Sequence, residues 1–559
     1  MARFFSCSPA ALRPRARSGR RRASRIGLPP KTGSARSRRL VEIVLAGAVA
    51  ASLEGCAVGP DFIEPPSPAD AGYTRTATKN IPASSAPGGA GQKIESGRDV
   101  PGEWWKLFHS RQISALVEEA VRNHPSIASA EAALRQARET LESDAASFLP
   151  SAIATNSVTR QQLSPAQYGS SSTSSSSGFS TLYTLFNSNV AVSYTPDVFG
   201  KTARTVEGDA ASVEYQRQQL EAAWLSLTAN VVSAAISDAS YAEQIKATKG
   251  LVSDYRAQLD ILQKRFELGA VSLADVDSER TLLAQAEATL PPLEKARAQT
   301  RNQLMAYLGR FPNGDKGEAV ELEKLRLPGE LPLSLPSNLV RQRPDIVAAE
   351  SQLWRASANI GVATANMLPQ LTLSASGGSQ ALTLGQLFGP QTMAYSLGAS
   401  VAGQAFDGGG LYHKREANVA AFEQAKAQYQ STVLSAFQNV GDALVAIKHD
   451  AATLRAQATA EKAAAESFQI AQIQYRAGST TYPTVINAEQ SLLNARLNRV
   501  KAQAARYSDT VALMQSLGGG WWNRDDETPA SLPKPNDLIS MSPIAAGIRA
   551  QAEESAHAQ

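Results

Sequence analysis

Residues 411–477 contain no proline and a single glycine, Gly441, so nothing local obliges a helix begun there to stop before Gly478. Apolar residues in this stretch recur at alternating steps of four and three: Val433, Phe437, Val440, Leu444, Ile447, Ala451, Leu454 and Ala458. Beyond the turn Tyr475-Arg476-Ala477-Gly478-Ser479-Thr480-Thr481, the steps resume through Leu493, Leu497, Val500, Ala504, Tyr507, Val511 and Met514. Such spacing predicts two helices with matched heptad seams around one glycine turn. At about 1.5 Å per residue the first helix spans roughly 100 Å, longer than an ordinary globular core. Alanine at many seam positions lets neighbouring rods approach closely, and a seven-residue period implies left-handed supercoiling.

The hairpin is present twice. A shift of 219 residues lays Leu116–Pro150 on Leu335–Pro369, pairing Arg122 with Arg341, Pro125 with Pro344, Glu131 with Glu350 and Leu149-Pro150 with Leu368-Pro369. A shift of 209 lays Phe266–Gly309 on Tyr475–Gly518, pairing Gly269 with Gly478, Arg297 with Arg506 and Leu308-Gly309 with Leu517-Gly518. The chain is therefore a tandem duplication. The first copy has its own seam from Leu220 through Trp224, Val231, Asp238, Ile245, Val252, Leu259 and Phe266, with Asp238 as the one charged interruption. Pro291-Pro292 predicts a kink or break in its returning helix.

Each copy also predicts two strands: 152–160 and 189–195, then 371–377 and 394–402. Ala191-Val192-Ser193-Tyr194 and Leu371-Thr372-Leu373-Ser374-Ala375 show the period-two alternation of a sheet with one apolar and one polar face. The loop expected between the first pair, Ser164–Ser188, contains an unbroken Ser/Thr run at 170–177 and belongs in water. Strands of about nine to eleven tilted residues suit an outer-membrane barrel. Four strands cannot close one, and lipid does not tolerate open edges. Two chains would make a barrel of about eight strands that side chains fill solid, whereas three chains leave a lumen. The expectation is a homotrimer with a pore. After Cys56 no apolar run of eighteen appears, so no helical span is expected.

Twelve of the 55 basic residues fall in residues 1–40, which hold no acid. The run Ile43–Leu53 follows without a charge and leads to Gly55-Cys56, the layout of a secretory signal. Without residues 1–55 the chain keeps 43 basic and 49 acidic residues, so its overall +4 says nothing about nucleic acid, and no nucleic-acid partner is expected. Leu53-Glu54-Gly55-Cys56 resembles a bacterial lipobox, with Glu54 where a small residue is usual. Cys56 is thus the expected lipidation site, tying the chain to outer-membrane lipid. Cys7 falls in the leader, so no disulfide is expected.

The motifs together resemble the outer membrane factor (TolC-like) family, in its lipoprotein branch that serves resistance-nodulation-division efflux systems. The carrying residues are Cys56-Ala57-Val58-Gly59-Pro60-Asp61-Phe62, Trp104-Trp105-Lys106-Leu107-Phe108, Arg343-Pro344-Asp345-Ile346, Phe406-Asp407-Gly408-Gly409 and Leu517-Gly518-Gly519-Gly520-Trp521. The resemblance implies an α+β membrane protein whose tandem-duplicated unit forms, as a trimer, a twelve-stranded β-barrel continued by a long coiled-coil α-helical barrel. It further implies a periplasmic adaptor, or membrane fusion protein, and an inner-membrane pump as partners. The expected adaptor-docking tip is Arg265, Leu268, Gly269 and Ser272 in copy one, with Arg476, Ala477, Gly478 and Thr481 in copy two. Many relatives carry an acidic residue about six before the second tip glycine; Gln472 stands there, so Phe468, Ile470 and Gln472 are the expected pore constriction.

The implied organisation is a leader (1–55), a lipidated strap (56–103), a first repeat (104–309), an equatorial linker (310–338), a second repeat (339–522) and a disordered tail (523–559). Five scattered histidines, a glycine run at Gly408-Gly409-Gly410 that lacks the Gly-Lys-Ser/Thr ending of a phosphate loop, and no nucleophile beside a base argue against a metal site, a cofactor or an enzyme. The expected function is the outer-membrane channel of a tripartite efflux pump in a Gram-negative bacterium. The alternatives are a duct for type I protein secretion or another pump class, and a pore-less structural coiled coil of the envelope.

Overall fold

The computed structural model describes residues 57–67, 72–75, 78–162, 182–317 and 319–524. Cys56, the leader, most of the serine-rich loop and the tail beyond 524 lie outside them. Two short strands come first, β1 (Asn80–Ile81) and β2 (Gln92–Ser96), then a 3-10 turn that seats Trp104, Trp105 and Phe108 in the core. The first copy runs α1 (Arg111–Asn123), α2 (Pro125–Ala145), β3 (Ser151–Gln162), β4 (Leu182–Tyr194), α3 (Lys201–Glu267) and α4 (Leu273–Tyr307). After β5 (Glu330–Leu333), the second copy repeats that order. Its elements are α5 (Pro336–Gln342), α6 (Pro344–Ala365), β6 (Gln370–Ala381), β7 (Met393–Ala402), α7 (Gly410–Arg476) and α8 (Tyr482–Ser516).

The two long helices, α3 and α7, are 67 residues each, and their return helices 35 each. Both long helices start behind a glycine in the left-handed region, Gly200 at φ 75° and Gly409 at φ 89°. The returning α4 begins in a capping box, Ser272 accepting from the Asp275 amide while Asp275 accepts from Ser272. Proline opens α2 and α6, where its missing N–H costs nothing.

Of the kink or break expected at Pro291-Pro292, the break does not occur: helix α4 runs through both prolines. Packing overrides the lost hydrogen bonds: Leu283, Ala286 and Leu290 lie against α3 before the prolines, and Arg297 is held by Asp238 after them. The strap is not wholly irregular either. Its β2 pairs antiparallel with β1 and parallel with β5, so strap and linker share a three-stranded sheet. The linker range also contains the start of α5. Residues 182–188, expected as loop, belong to β4. At the tail, Asn523 donates to Val100 and the Arg524 guanidinium lies 4.4 Å from the Trp224 ring, so the order extends past residue 522.

The second sheet has the order β3-β4-β6-β7, antiparallel throughout. Its central pair, β4 with β6, joins the two copies, leaving β3 and β7 as edges. A large core places Val231, Val232, Ile236, Ile447, Leu513 and Met514 of the long helices and their returns against Trp104, Phe108 and Tyr507. A separate cluster lies behind the two hairpin turns, and another under the sheet around Leu134, Leu141, Val206 and Val213. Helix α3 has one stretch long and apolar enough to cross a bilayer by composition, but 61% of it is buried within this fold.

Candidate functional site

The two hairpin turns form one end of the molecule. At the first, the amides of Gly269 and Ala270 donate to Phe266 and Arg265, closing α3 with Gly269 at φ 73°. The second turn is a copy: Gly478 and Ser479 donate to Tyr475 and Gln474, with Gly478 also at φ 73°. Nothing lies within 4 Å of where a side chain would grow from either glycine. Arg265, Leu268 and Ser272 are exposed in the first turn, and Arg476, Ala477 and Thr481 in the second, so each expected quartet is gathered on one open loop. Leu268 is 84% exposed, an unusual position for a leucine that no neighbour covers.

The expected constriction residues separate. Ile470 is exposed, Gln472 is half-buried, and Phe468 packs against the cluster of Val252, Tyr255, Leu262, Ala471 and Tyr482. That cluster draws on all four hairpin helices, so it fixes the two turns side by side. Its polar members were not anticipated. The Tyr482 hydroxyl donates to Glu279 Oε2 at 2.8 Å, from α8 to α4, and Glu489 is buried one helical stretch further on. Burial pushes the Glu489 carboxyl up to about 7, helped by Glu279 and Asp254, and burial likewise raises Glu279 against the pull of the Tyr482 hydrogen bond. The signal was a charge on an apolar spacing: Val276, Glu279 and Leu283 step by three and four, as do Val485, Glu489 and Leu492.

At the opposite end, the register sorts side chains by face. Val190, Val192 and Tyr194 of β4 stand opposite Gly377, Ala375 and Leu373 of β6; Leu371, Ala375, Gly377 and Ser379 stand opposite Val401, Leu397, Tyr395 and Met393 of β7. Thr372, Ser374, Ser376 and Gln380 share the other face with Ser396 and Ser400. Over β6, β7 and the adjoining end of β4 one face is therefore largely apolar and the other largely polar, while along β3 the two mix, with Asn156 and Arg160 on the first face and Ile153 on the second. Met393, Tyr395, Leu397 and Val401 are each at least 71% exposed within one chain, and β3 and β7 each have one hydrogen-bonded neighbour. Neither an exposed apolar face nor a pair of bare edges is stable in water.

The residues that follow Cys56 are clamped where α3 begins. Val58 donates to the Phe199 carbonyl, and buried Arg204 donates to the Val58 carbonyl and to Asp61 Oδ1 at 2.6 Å. Ala57 touches Gly200, one short connection from the end of β4, so the start of the strap sits at the sheet end of the helices. Among the described residues no group of three His, Cys, Asp or Glu side chains is placed to hold a metal.

The profile of the outer membrane efflux protein family matches residues 116–310 and 335–519, one match per copy. Among similar proteins, the pyoverdine export outer membrane protein OpmQ of Pseudomonas putida is 29% identical over 75% of this chain and 88% of its own. The probable efflux pump outer membrane protein TtgC of the same species is 26% identical over 84% of this chain and 94% of its own. The solved outer-membrane channel OprN superposes with a TM-score of 0.72 at 25% identity, over 83% of this chain and all of its own.

Proposed function

The chain belongs to the outer membrane efflux protein family, and from that membership we propose that three copies assemble into a duct, lipid-anchored through Cys56, that receives its cargo from a periplasmic adaptor and an inner-membrane pump. It is an outer-membrane channel component of an efflux system. The observation that carries the trimeric reading is the sheet: four strands, largely apolar on one face over β6 and β7, bare at both edges, continued by two 67-residue helices. Pairing β7 of one chain with β3 of the next leaves no edge only when the ring closes, and three copies give about twelve strands, wide enough for a lumen. The polar face of Ser374, Ser376, Ser396 and Ser400 then lines that lumen, while Tyr395 and Leu397 meet lipid.

At the other end, the exposed turns are the surface for the adaptor. Arg265, Leu268, Gly269 and Ser272 with Arg476, Ala477, Gly478 and Thr481 offer two loops of the same backbone form and different side chains, so one adaptor hairpin can meet both turns in the same way. Ile470 and Gln472 face the narrowing bore as the constriction, and Phe468 supports it from the cluster behind. Conduction is passive, because the chain contributes a wall and a gate. The clamp at Arg204 holds the residue after Cys56 near the sheet, where an acyl chain reaches the inner surface of the outer membrane.

Expression of the full chain in a Gram-negative host tests this reading. The expected results are an outer-membrane oligomer of three chains that dissociates on heating, pores in planar bilayers, and palmitate incorporation lost in Cys56→Ser. A monomer without pores overturns the duct.

A further inference from the structure

Two carboxylic acids are buried where the hairpins meet, Glu279 on α4 at 0% exposure and Glu489 on α8 at 7%. Tyr482 donates to one oxygen of Glu279, and the other, Oε1, has no partner. Tyr255, Asp254 and Gln258 face the pair from α3, and the Tyr475 ring of α7 lies 5.2 Å from that of Tyr482. Among the described residues no basic side chain acts on either carboxyl, and Arg256 of α3 is committed to Glu287 at 2.6 Å. Glu279 lies ten residues beyond Gly269 and Glu489 eleven beyond Gly478, about 15 Å of helix behind each turn.

We infer that Glu279, Tyr482 and Glu489 form a proton-operated latch between the two hairpins: protonated, it holds them packed and the tip narrow; deprotonated, it lets them part. The inference rests on the duct reading, since it supplies that duct with a gate. Two ionised carboxylates in this buried enclosure repel each other, with no basic side chain among the described residues to offset them. Separation of the hairpins hydrates both. Because burial raises both groups, the packed arrangement binds protons more tightly than the parted one. Its advantage is full below the ordinary carboxylate range, is lost as pH rises toward about 7 for Glu489, and changes little above that.

Single-channel recording of the full-length protein in planar bilayers tests the latch. In the wild type the open probability climbs roughly tenfold from about pH 5 to about pH 8, one unit's worth of linkage after discounting for relaxation. Glu489→Gln, which cannot ionise, stays at the acid-side value throughout. Tyr482→Phe removes a donor that favours ionised Glu279 and moves the midpoint to higher pH. A Glu489→Gln variant with the wild-type profile, or a flat wild type, overturns the latch. Failure to form any pore counts against the duct instead. Infrared titration then decides the latch alone: the carbonyl band of a buried protonated acid near neutral pH, lost in Glu489→Gln, supports it, and absence of that band overturns it.

Discussion

A methyl group on Gly59 would lie 2.5 Å from the Cα of Gly361, closer than any side-chain carbon comes to a neighbouring backbone. Gly59 also has φ 103°, a conformation L side chains rarely adopt. Gly59→Ala therefore costs about 1–3 kcal/mol from strain and displacement together. The strap pulls away from α6 and Arg204 loses its hold on Val58 and Asp61. A lowered melting temperature, with early proteolysis ahead of β1, is the expected outcome.

Asp238, the lone charge in the α3 seam, receives Arg297 at 3.0 Å and Arg301 at 3.0 Å from α4. It is 2% exposed, so its removal takes the carboxylate from Arg297 and one of two carboxylates from Arg301, which keeps Asp315. Asp238→Ala destabilises by roughly 1–3 kcal/mol. Urea unfolding of Asp238→Ala beside the wild type measures the loss.

Arg301 also grips Asp315, holding that carboxyl down at about 2 through a hydrogen bond and its charge. A depressed acid adds stability that is present above its ordinary value and lost as pH falls through its folded one. Acid unfolding of the wild type therefore includes a loss between about pH 4 and pH 2 that Asp315→Asn lacks. Parallel acid titrations followed by circular dichroism compare them.

On β7 the two faces give opposite outcomes. Leu397→Arg puts a charge on the apolar face and costs about 2–4 kcal/mol of folding into lipid. Ser396→Arg, one residue away, is tolerated and alters ion selectivity. Folding into lipid vesicles, scored by heat-modifiable migration, separates them.

At the tip, Leu268→Asp leaves stability within about 0.5 kcal/mol of wild type because the side chain touches nothing to lose. Co-purification with the cognate adaptor nonetheless falls by tenfold or more, about 1.4 kcal/mol in binding. Equal loss of stability and binding would remove Leu268 from the docking surface.

The long helices and both turns were legible because heptad spacing and two isolated glycines act locally, and the four strands because alternation does. What escaped depended on distant partners. Lys93 and Ile94 carry no sign that β5, more than two hundred residues later, will pair with them. Pro291-Pro292 reads as a break until α3 is seen to brace both sides. The matched arginines Arg297 and Arg506 look equivalent in the repeat. Yet Arg297 serves Asp238 within its own hairpin, while Arg506 donates to the carbonyls of Gly88 and Ala90 and to Gln92, binding the strap. Position 238 in the first copy corresponds to Ile447 in the second, so the second arginine was freed for another task. Glu279 and Glu489 went unread although each sits on an apolar spacing, and only the packed hairpins bring them together.

Since β4 pairs with β6, the junction between the duplicated halves is sealed inside one chain, and the two outer strands are contributed by different halves. In the proposed ring the contact between copies would therefore be head to tail. A polypeptide crippled only in β7 would still present a sound β3, so it would be taken into a growing ring and then block its closure. Such a lesion would be dominant: mixed with intact chains, a minority of defective ones would poison most assemblies, whereas a chain unable to fold at all would merely be left out.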